Sequence, residues 1–174
     1  WLGRGTEDAR VTRCLFEDLG AGGIYIGATS FDKRTMRATA SRILVRDNII
    51  RAGGRLADGA HGVWMGHAAD VAVEHNEIAD FLYTGIASGW RWGYAPTPTR
   101  RIRIAWNHIH HIGNGILSDM AAIYTLGEHA GSEIVGNRIH DVWCYGQAGR
   151  GGRGIYADEG TAHLLVASNL VYDI

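Results

Sequence analysis

An asparagine recurs along the chain at intervals of 28 to 32 residues, each time inside a short apolar segment. The five segments are RILVRDNIIRAGG (42–54), DVAVEHNEIADF (70–81), RIRIAWNHIHHIG (101–113), SEIVGNRIHDV (132–142) and HLLVASNLVYDI (163–174), aligned on Asn48, Asn76, Asn107, Asn137 and Asn169. A sixth, degenerate copy at 10–20 has Cys14 at the asparagine position. A fixed period of about thirty residues is typical of repeat proteins, in which each unit buries its apolar face only by stacking on its neighbours.

Within a repeat, apolar and polar residues alternate with a period of two. Ile102 and Ile104 alternate with Arg101 and Arg103, which is the pattern of a strand with one buried face. Between the asparagine segments lie second strands: GIYIG (23–27), GVWMG (62–66), GIASG (85–89), AIYTLG (122–127) and GIYADEG (154–160). The chain also has 25 glycines, an excess that indicates many tight turns.

These patterns predict an all-β fold, a right-handed parallel β-helix of about five to six coils with a period of roughly 30 residues. A β-propeller needs longer blades of four antiparallel strands, and a leucine-rich horseshoe needs a ladder of leucines. We expect each repeated asparagine to adopt the left-handed turn conformation and to bond to the next asparagine along the stack.

We expect residues 1–174 to form a single β-helix domain that is a portion of a longer chain. The last repeat, from Asn169 to Ile174, is only half a repeat long. Uncapped coils would expose strand edges and the apolar interior. The remainder of a longer chain, or another subunit, is therefore expected to cover the coil ends.

Composition argues against several partners. Only 20% of residues are charged and the formal net charge is −1, so nucleic acid is not expected as a partner. The chain has no run of 18 or more apolar residues, so no membrane partner is expected. We expect a secreted or periplasmic bacterial protein, although the first residues do not have the pattern of a signal peptide.

No metal or cofactor is predicted. Cys14 and Cys144 are too few for a disulfide framework and too far apart in sequence for a zinc site, so we interpret both as buried thiols. His108 and His110 lie on the same side of a strand, but no third ligand has convincing spacing. No Walker, Gly-x-Gly-x-x-Gly or Gly-x-Ser-x-Gly motif is present, which argues against nucleotide binding and serine hydrolase chemistry.

The second strands predict a column of aromatic residues on one outer face. Their alignment places Ile24, Val63, Ile86, Ile123 and Ile155 inside the coil, and Tyr25, Trp64, Ala87, Tyr124 and Tyr156 outside it. Such a column is either stacking that stabilises the coils or a platform for sugar rings. The segment GWRWGYAP (89–96) adds Trp90, Trp92 and Tyr94, either as a wall of a binding groove or as a loop that folds back on the coil.

Four acids are expected on the same face of two adjacent coils. Asp158 occupies the position of the turn glycines of other coils and is followed by Glu159, while Asp119 and Glu128 flank the preceding second strand. Asp158 alone would be an ordinary polar turn. Four neighbouring acids without a nearby lysine would instead raise the pKa of one carboxyl group, as glycosidic bond hydrolysis requires. His67, at the position matched by Glu159, is expected to line the same groove.

The motifs SDMAAIYTLG (118–127) and GIYADEG (154–160), together with TGIASGWRWGY (84–94), resemble the β-helix glycosidases of glycoside hydrolase family 141 over roughly residues 60–174. The resemblance implies hydrolysis of plant-polysaccharide linkages, with fucosidase and xylanase activities in the family, and catalytic acids at Asp119 and Asp158. The chain departs from the family in its much shorter length and at Ala121–Ala122, where glycines are expected. The added methyl groups would narrow the approach to Asp119.

The predicted function is therefore a glycoside hydrolase acting on plant-type polysaccharide or oligosaccharide linkages, with Asp119 and Asp158 as the catalytic pair. The predicted substrate-binding residues are Glu159, Glu128, Trp90, Trp92, Tyr94, Tyr124, Tyr156 and His67.

Two other functions remain open. A polysaccharide lyase would need a lysine or arginine base and usually calcium. The single lysine is Lys33, and Arg91, Arg150 and Arg153 are nearer in sequence to the acids. A non-catalytic carbohydrate-binding or structural solenoid is the other alternative.

Overall fold

The computed structural model describes residues 1–30, 38–146 and 152–174. In these residues the chain forms 17 β-strands and no helix, which confirms the predicted all-β class. The first sheet contains β1 (Arg10–Thr12), β4 (Ala40–Arg46), β7 (Ala68–Glu74), β10 (Arg100–Ala105), β13 (Glu128–Val135) and β16 (Ala162–Ala167). The second sheet contains β2 (Leu15–Glu17), β5 (Ile49–Arg51), β8 (Glu77–Phe81), β11 (His108–Ile112), β14 (Arg138–Val142) and β17 (Leu170–Tyr172). The third sheet contains β3 (Ile24–Ile26), β6 (His61–Met65), β9 (Thr84–Ser88), β12 (Ile123–Thr125) and β15 (Ile155–Ala157).

Each strand from β1 to β14 pairs in parallel with the strand three places later in the chain. One coil therefore contributes one strand to each sheet, and successive coils stack to form a β-solenoid with the predicted period. No helix in the described part of the chain is long and apolar enough to cross a membrane.

The interior of the coils is filled by the alternate residues that the sequence pattern indicated. Ile102 and Ile104 are each 2% exposed, whereas Arg101 and Arg103 lie on the outer side. In the third sheet, the predicted inner residues Ile24, Val63, Ile86, Ile123 and Ile155 are in register. This apolar column is the main source of stability expected for the stack, since each coil covers the next.

The repeated asparagines form a continuous ladder between the first and second sheets. The Asn76 amide donates to the side-chain oxygen of Asn107 at 2.9 Å, and the Asn107 amide donates to Asn137 at 3.0 Å. The same bonds join Asn48 to Asn76 and Asn137 to Asn169. At the degenerate first position, the Cys14 backbone N–H donates to the Asn48 side chain, so bonding along the stack is confirmed.

The prediction that these asparagines adopt the left-handed turn conformation is wrong. The left-handed residue of each corner is the one before the asparagine, as at Asp47, His75 and Trp106, whose φ angles lie between 53° and 55°. The asparagine is instead needed as a buried side chain that bonds to the neighbouring coil. The preceding residue makes the turn, and several residue types serve there.

The two cysteines differ from expectation in their exposure. Cys14 is exposed and Cys144 is partly buried, and both are free thiols. Cys14 lies between β1 and β2, the outermost strands of their sheets, so its corner has a neighbouring coil on one side only. At the opposite end, Leu165, Leu170 and Val171 are 55%, 58% and 37% exposed.

Candidate active site

The outer column of the third sheet is in the predicted register but is largely covered. Trp64 is 2% exposed and Tyr124 is 6% exposed, and with Ala87, Ala121 and Leu126 they form a second apolar cluster outside the coil. Side chains so deeply buried stabilise the face by packing. Tyr25 and Tyr156 are only partly buried and remain reachable from solvent.

The loop after β9 accounts for much of this cover. The Trp90 ring packs edge to face against Trp64 with 5.4 Å between centroids, so this part of the loop folds back on the coil. Trp92 contacts Trp90 at 5.3 Å but is itself 57% exposed, and Tyr94 is 84% exposed. The three predicted aromatics therefore divide into one packing residue and two surface rings.

The turn that carries Asp158 is fixed to the preceding coil. The Asp158 backbone N–H donates to the Thr125 carbonyl at 3.0 Å, and the Thr161 N–H closes the turn on the Asp158 carbonyl at 2.9 Å. Gly160 has a φ of +77°, and a β-carbon there would lie 2.1 Å from the Gly93 carbonyl oxygen. Only glycine fits this approach of the loop to the turn, because of both the φ angle and the space.

Asp158 is held by hydrogen bonds in the way of an ionised carboxylate. The Tyr124 hydroxyl, from the neighbouring coil, donates to Asp158 Oδ2. Burial, the largest single contribution, raises the pKa of Asp158, while the hydrogen bonds from Tyr124 and from the Glu159 N–H lower it. The Tyr156 hydroxyl and the charge of Arg153 act in the same direction, so the pKa of Asp158 is lowered.

Asp158 is therefore not the member of the acid cluster whose pKa is raised. The sequence pattern predicted like charges that raise the pKa of one member, with no lysine to neutralise them. The structure supplies phenol donors and an arginine beside Asp158 instead. Asp158 is therefore suited to act as a carboxylate rather than as a proton donor.

Asp119 lies in the loop between β11 and β12, on the same face. Its φ of 54° is in the left-handed region, which aspartate tolerates. The Tyr83 hydroxyl donates to the Asp119 carbonyl oxygen at 2.9 Å and thereby ties this loop to the coil before it. The Asp119 side chain is exposed to solvent.

The two aspartates share one group of phenols, Tyr83, Tyr124 and Tyr156, which we call the tyrosine cluster. The negative charges of Asp119 and Asp158 both raise the pKa of each of these tyrosines, after burial, which is the first cause in every case. The Tyr124 and Tyr156 rings pack edge to face at 5.0 Å. The solenoid thus brings the two aspartates predicted as the catalytic pair around a single set of hydroxyl groups.

Ala121 and Ala122, which follow Asp119 closely in the sequence, do not narrow the access of a ligand to the Asp119 side chain. Ala121 and Ala122 are both completely buried, Ala122 in the interior of the coil and Ala121 in the outer apolar cluster. Their methyl groups fill packed regions and do not reach the surface on which the Asp119 side chain lies.

Arg153 is the cation of the site. Its guanidinium lies 4.3 Å from the centre of the Tyr156 ring, a distance typical of cation–π contact. Its Nη1 is buried and has no hydrogen-bond partner among the described residues. This nitrogen therefore lies beneath the surface, and the guanidinium contributes its positive charge beside Asp158.

The other predicted residues lie at the margin of this group. Glu159 is exposed on the Asp158 turn, and Glu128 opens β13 and is partly buried. His67 is 1% exposed, and burial, with a further contribution from the charge of Arg91, lowers its pKa to about 4. We expected His67 to line an open groove, but the structure places it beneath the surface.

The histidine-rich strands form a separate group on the second sheet. Nε2 of His108 lies 2.8 Å from Nε2 of His140, and the His110 and His140 rings stack at 5.2 Å. Among the residues that the structure describes, no group of three or more histidines, cysteines or acids is arranged to hold a metal ion.

Two residues near the site were missed by the sequence analysis. Tyr83 precedes β9 and was not part of any aligned column, and His61 precedes the predicted second strand at 62–66, although the structure begins β6 at His61. The signal available for both was an aromatic residue just before the inner apolar position of a second strand. Their roles depend on loop packing, which the repeat pattern does not encode.

Comparison with known proteins identifies a similar solved structure. A protein named glycoside hydrolase matches 98% of this chain with a TM-score of 0.86 and 23% sequence identity. This chain spans 32% of the length of that protein. No protein-family profile and no curated protein sequence matches the chain. At this level of identity, the similarity establishes a shared β-solenoid fold.

Proposed function

We propose that the protein is a glycoside hydrolase that cleaves plant-type polysaccharide or oligosaccharide linkages of the fucosidase or xylanase kind, with Asp119 and Asp158 as its catalytic pair. The observation that carries the proposal is the tyrosine cluster shared by these two aspartates, one of them hydrogen-bonded as a carboxylate. The fold shared with a protein named glycoside hydrolase supports it.

In this proposal Asp158 is the nucleophile or the general base. Glycosidic bond hydrolysis needs one ionised carboxylate, which attacks the anomeric carbon or removes a proton from the attacking water. The lowered pKa of Asp158 keeps it ionised at neutral pH. The Tyr124 hydroxyl fixes the orientation of the carboxylate, because Tyr124 is itself 6% exposed and held by packing.

Asp119 is then the proton donor to the leaving oxygen. It lies on the same face as Asp158, on a loop tied to the cluster by the Tyr83 hydroxyl, and its side chain is open to solvent. Whether the reaction retains or inverts the anomeric configuration distinguishes nucleophile from base for Asp158. Proton NMR of the first product formed gives that outcome.

Substrate contacts are assigned around this pair. Arg153 places a positive charge beside Asp158 and Tyr156, where it attracts an electronegative group of the substrate. Trp92 and Tyr94 provide exposed rings on which a sugar can stack, and Glu159 and Glu128 provide acceptors at the rim. Tyr156, partly exposed between the two acids, contributes both a ring and a hydroxyl.

The test is an analysis of products from a panel of aryl glycosides and neutral plant polysaccharides. The proposal expects new reducing ends without unsaturated sugars, from a parent protein whose fold is verified by circular dichroism. Unsaturated uronate products that form only with calcium would show that the protein is a lyase and not a glycosidase. Binding of a carbohydrate without hydrolysis of any member of the panel would show that the protein is a carbohydrate-binding solenoid.

The lyase is the second candidate because Arg153 lies beside Asp158 and Tyr156. An arginine in that place is suited to act on the acidic sugars that lyases cleave. Lys33 and Arg150, which were also considered for this role, lie outside the described residues.

We also propose a setting for the domain. A protein that degrades plant polysaccharides is expected to be secreted or periplasmic in a bacterium.

The exposed Leu165, Leu170 and Val171 are suited to contact with a further coil or another subunit. Blue-native electrophoresis of the chain, with and without lysine substitutions at these positions, tests whether the coil end makes such a contact.

A further inference from the structure

A concave site lies on the same outer face, over the coils that contain β3 and β6. It is a pocket of about 550 Å³ whose walls include Trp1, Tyr25, His61, Trp64 and Trp90. This volume falls within the range usual for small-molecule sites. None of the described residues that line it has a charged side chain, and this lining is suited to an uncharged ligand.

His61 is the buried polar side chain of this pocket, beside the hydroxyl-bearing residues Tyr25 and Thr29. It is 7% exposed, and its Nδ1 has no hydrogen-bond partner among the described residues. Burial lowers the pKa of His61 to about 4, so the imidazole is neutral at neutral pH. A neutral imidazole offers one donor and one acceptor, and either suits a hydroxyl group.

The walls around His61 are aromatic rings held in fixed orientations. Tyr25, Tyr83 and Trp90 each meet the imidazole edge to face, with centroids 6.4, 5.2 and 5.9 Å away. The Trp64 ring closes the back of the pocket, tilted against Tyr25 at 5.7 Å. Aromatic walls with few hydrogen-bonding groups match the surface of a pyranose ring, which has apolar faces and hydroxyl edges.

Tyr83 connects this pocket to the proposed catalytic pair. Its ring contacts His61, and its hydroxyl donates to the Asp119 carbonyl oxygen at 2.9 Å. The pocket strand β6 and the site strand β12 are two coils apart in the third sheet, which is about 10 Å at the usual strand spacing. A carbohydrate chain lying along the solenoid axis therefore reaches both.

We propose that the His61 pocket is a distal subsite that binds an uncharged pyranose unit of the same carbohydrate chain, an inference that rests on the proposed glycosidase function. The enzyme then acts on oligosaccharides several units long in preference to short glycosides. Binding energy from this unit positions the cleaved bond between Asp119 and Asp158.

The test is a tryptophan fluorescence titration, because Trp64 and Trp90 lie in the pocket. The protein is the Asp119→Asn, Asp158→Asn double variant, so that no turnover is needed, and the probes are xylohexaose, cellohexaose and trigalacturonate. We expect a saturable change with a neutral hexasaccharide and none with trigalacturonate. His61→Phe in the same background should weaken binding by roughly tenfold.

Two further variants complete the design. Trp106→Phe removes an indole that stacks on His75 and does not line the pocket, and should leave the affinity unchanged. If His61→Phe does not fold by circular dichroism, Tyr25→Ala takes its place, since Tyr25 is partly exposed and is expected to lower the affinity similarly.

The outcomes separate this subsite from the glycosidase proposal. The absence of a saturable change with either neutral hexasaccharide overturns the subsite, as does equal affinity in the pocket variant. If the parent hydrolyses a glycoside and either of those results is obtained, the subsite is overturned but the glycosidase proposal is retained. If binding depends on the pocket but the parent hydrolyses nothing, the result supports the binding site and contradicts the glycosidase proposal.

Discussion

The Tyr124 hydroxyl donates a hydrogen bond to Asp158 Oδ2 across two neighbouring coils of the solenoid. Tyr124 is a buried member of the outer apolar cluster, whereas Asp158 lies on a turn after the next strand of the same sheet. The bond therefore depends on the stacking of coils and not on local sequence. It explains why an aspartate in a position otherwise held by turn glycines carries a lowered pKa.

Removing that hydroxyl should shift the pH profile of activity. In Tyr124→Phe the pKa of Asp158 rises, so a larger fraction of Asp158 is protonated as the pH falls, and the acidic limb of kcat/KM moves to higher pH. We expect kcat/KM at neutral pH to fall by roughly tenfold to a hundredfold.

The measurement is a pH–rate profile beside Tyr145→Phe, which alters an exposed tyrosine. An acidic limb at the same pH in Tyr124→Phe and in the parent would show that Asp158 is not the group that must be ionised.

The Gly160 turn should be sensitive to a single methyl group. Gly160→Ala places a β-carbon 2.1 Å from the Gly93 carbonyl oxygen at a φ of +77°, so the Asp158 turn must move away from the loop. We expect a loss of about 1–3 kcal/mol in the free energy of unfolding, together with most of the activity.

Gly3→Ala is the matched control, since no atom lies within 4 Å of a β-carbon there and its φ is not left-handed. Urea unfolding and hydrolysis rates measured on both variants provide the comparison. Equal stability and activity in the two variants would contradict the tight approach of loop and turn.

The asparagine ladder should account for a large share of stability. Asn107 is 1% exposed, and its side chain bonds to Asn76, to Asn137 and to the Val73 carbonyl. Asn107→Ala leaves buried donors and acceptors unpaired, so we expect a loss of about 3–5 kcal/mol in the free energy of unfolding.

Asn114→Gly provides the comparison for the ladder, because Asn114 is exposed and has a left-handed φ that glycine adopts freely. Denaturant titration should give it a free energy of unfolding within about 1 kcal/mol of the parent. A loss in Asn107→Ala no larger than in Asn114→Gly would mean that the ladder bonds are replaced by water.

Acid should destabilise the protein through its buried histidines. Burial lowers the pKa of His61 from 6.5 to about 4 in the folded state, so the unfolded chain binds the proton first. The stability associated with neutral His61 is present above pH 6.5 and is lost as the pH falls towards 4, up to about 3 kcal/mol. Urea unfolding of the parent and of His61→Phe across this range should show the difference in free energy of unfolding shifting in favour of the variant as the pH falls, and a constant difference would contradict the account.

Much of the fold could be predicted because each coil of a solenoid makes the same contacts as its neighbours, so the same residue types recur at a fixed period in the sequence. The period of the asparagines set the coil length, and the alternation around Ile102 and Ile104 set the inner face. Both depend on contacts with the same position one coil away. The conformation of Asn48 was misjudged because sequence alone does not separate the residue that turns from the residue that bonds to its neighbour.

The site was less predictable because it is built by loops that leave the repeat. Asp119 and Asp158 were identified from their motifs, but the direction of the pKa shift at Asp158 depends on Tyr124 and Arg153 in the folded state. The cover over Trp64 and the pocket at His61 both arise from the fold-back of Trp90. No periodic pattern encodes that packing.

The most direct measurement is the rate of hydrolysis of a neutral oligosaccharide by the parent, Asp119→Asn, Asp158→Asn and Asp18→Asn. Asp18 is the control because it is exposed and has a φ of 55°, close to the 54° of Asp119. The account predicts that both site variants fold and lose at least about 1,000-fold in kcat, while Asp18→Asn retains the parent rate. Parent-like rates in either folded site variant would contradict the assignment of the catalytic pair.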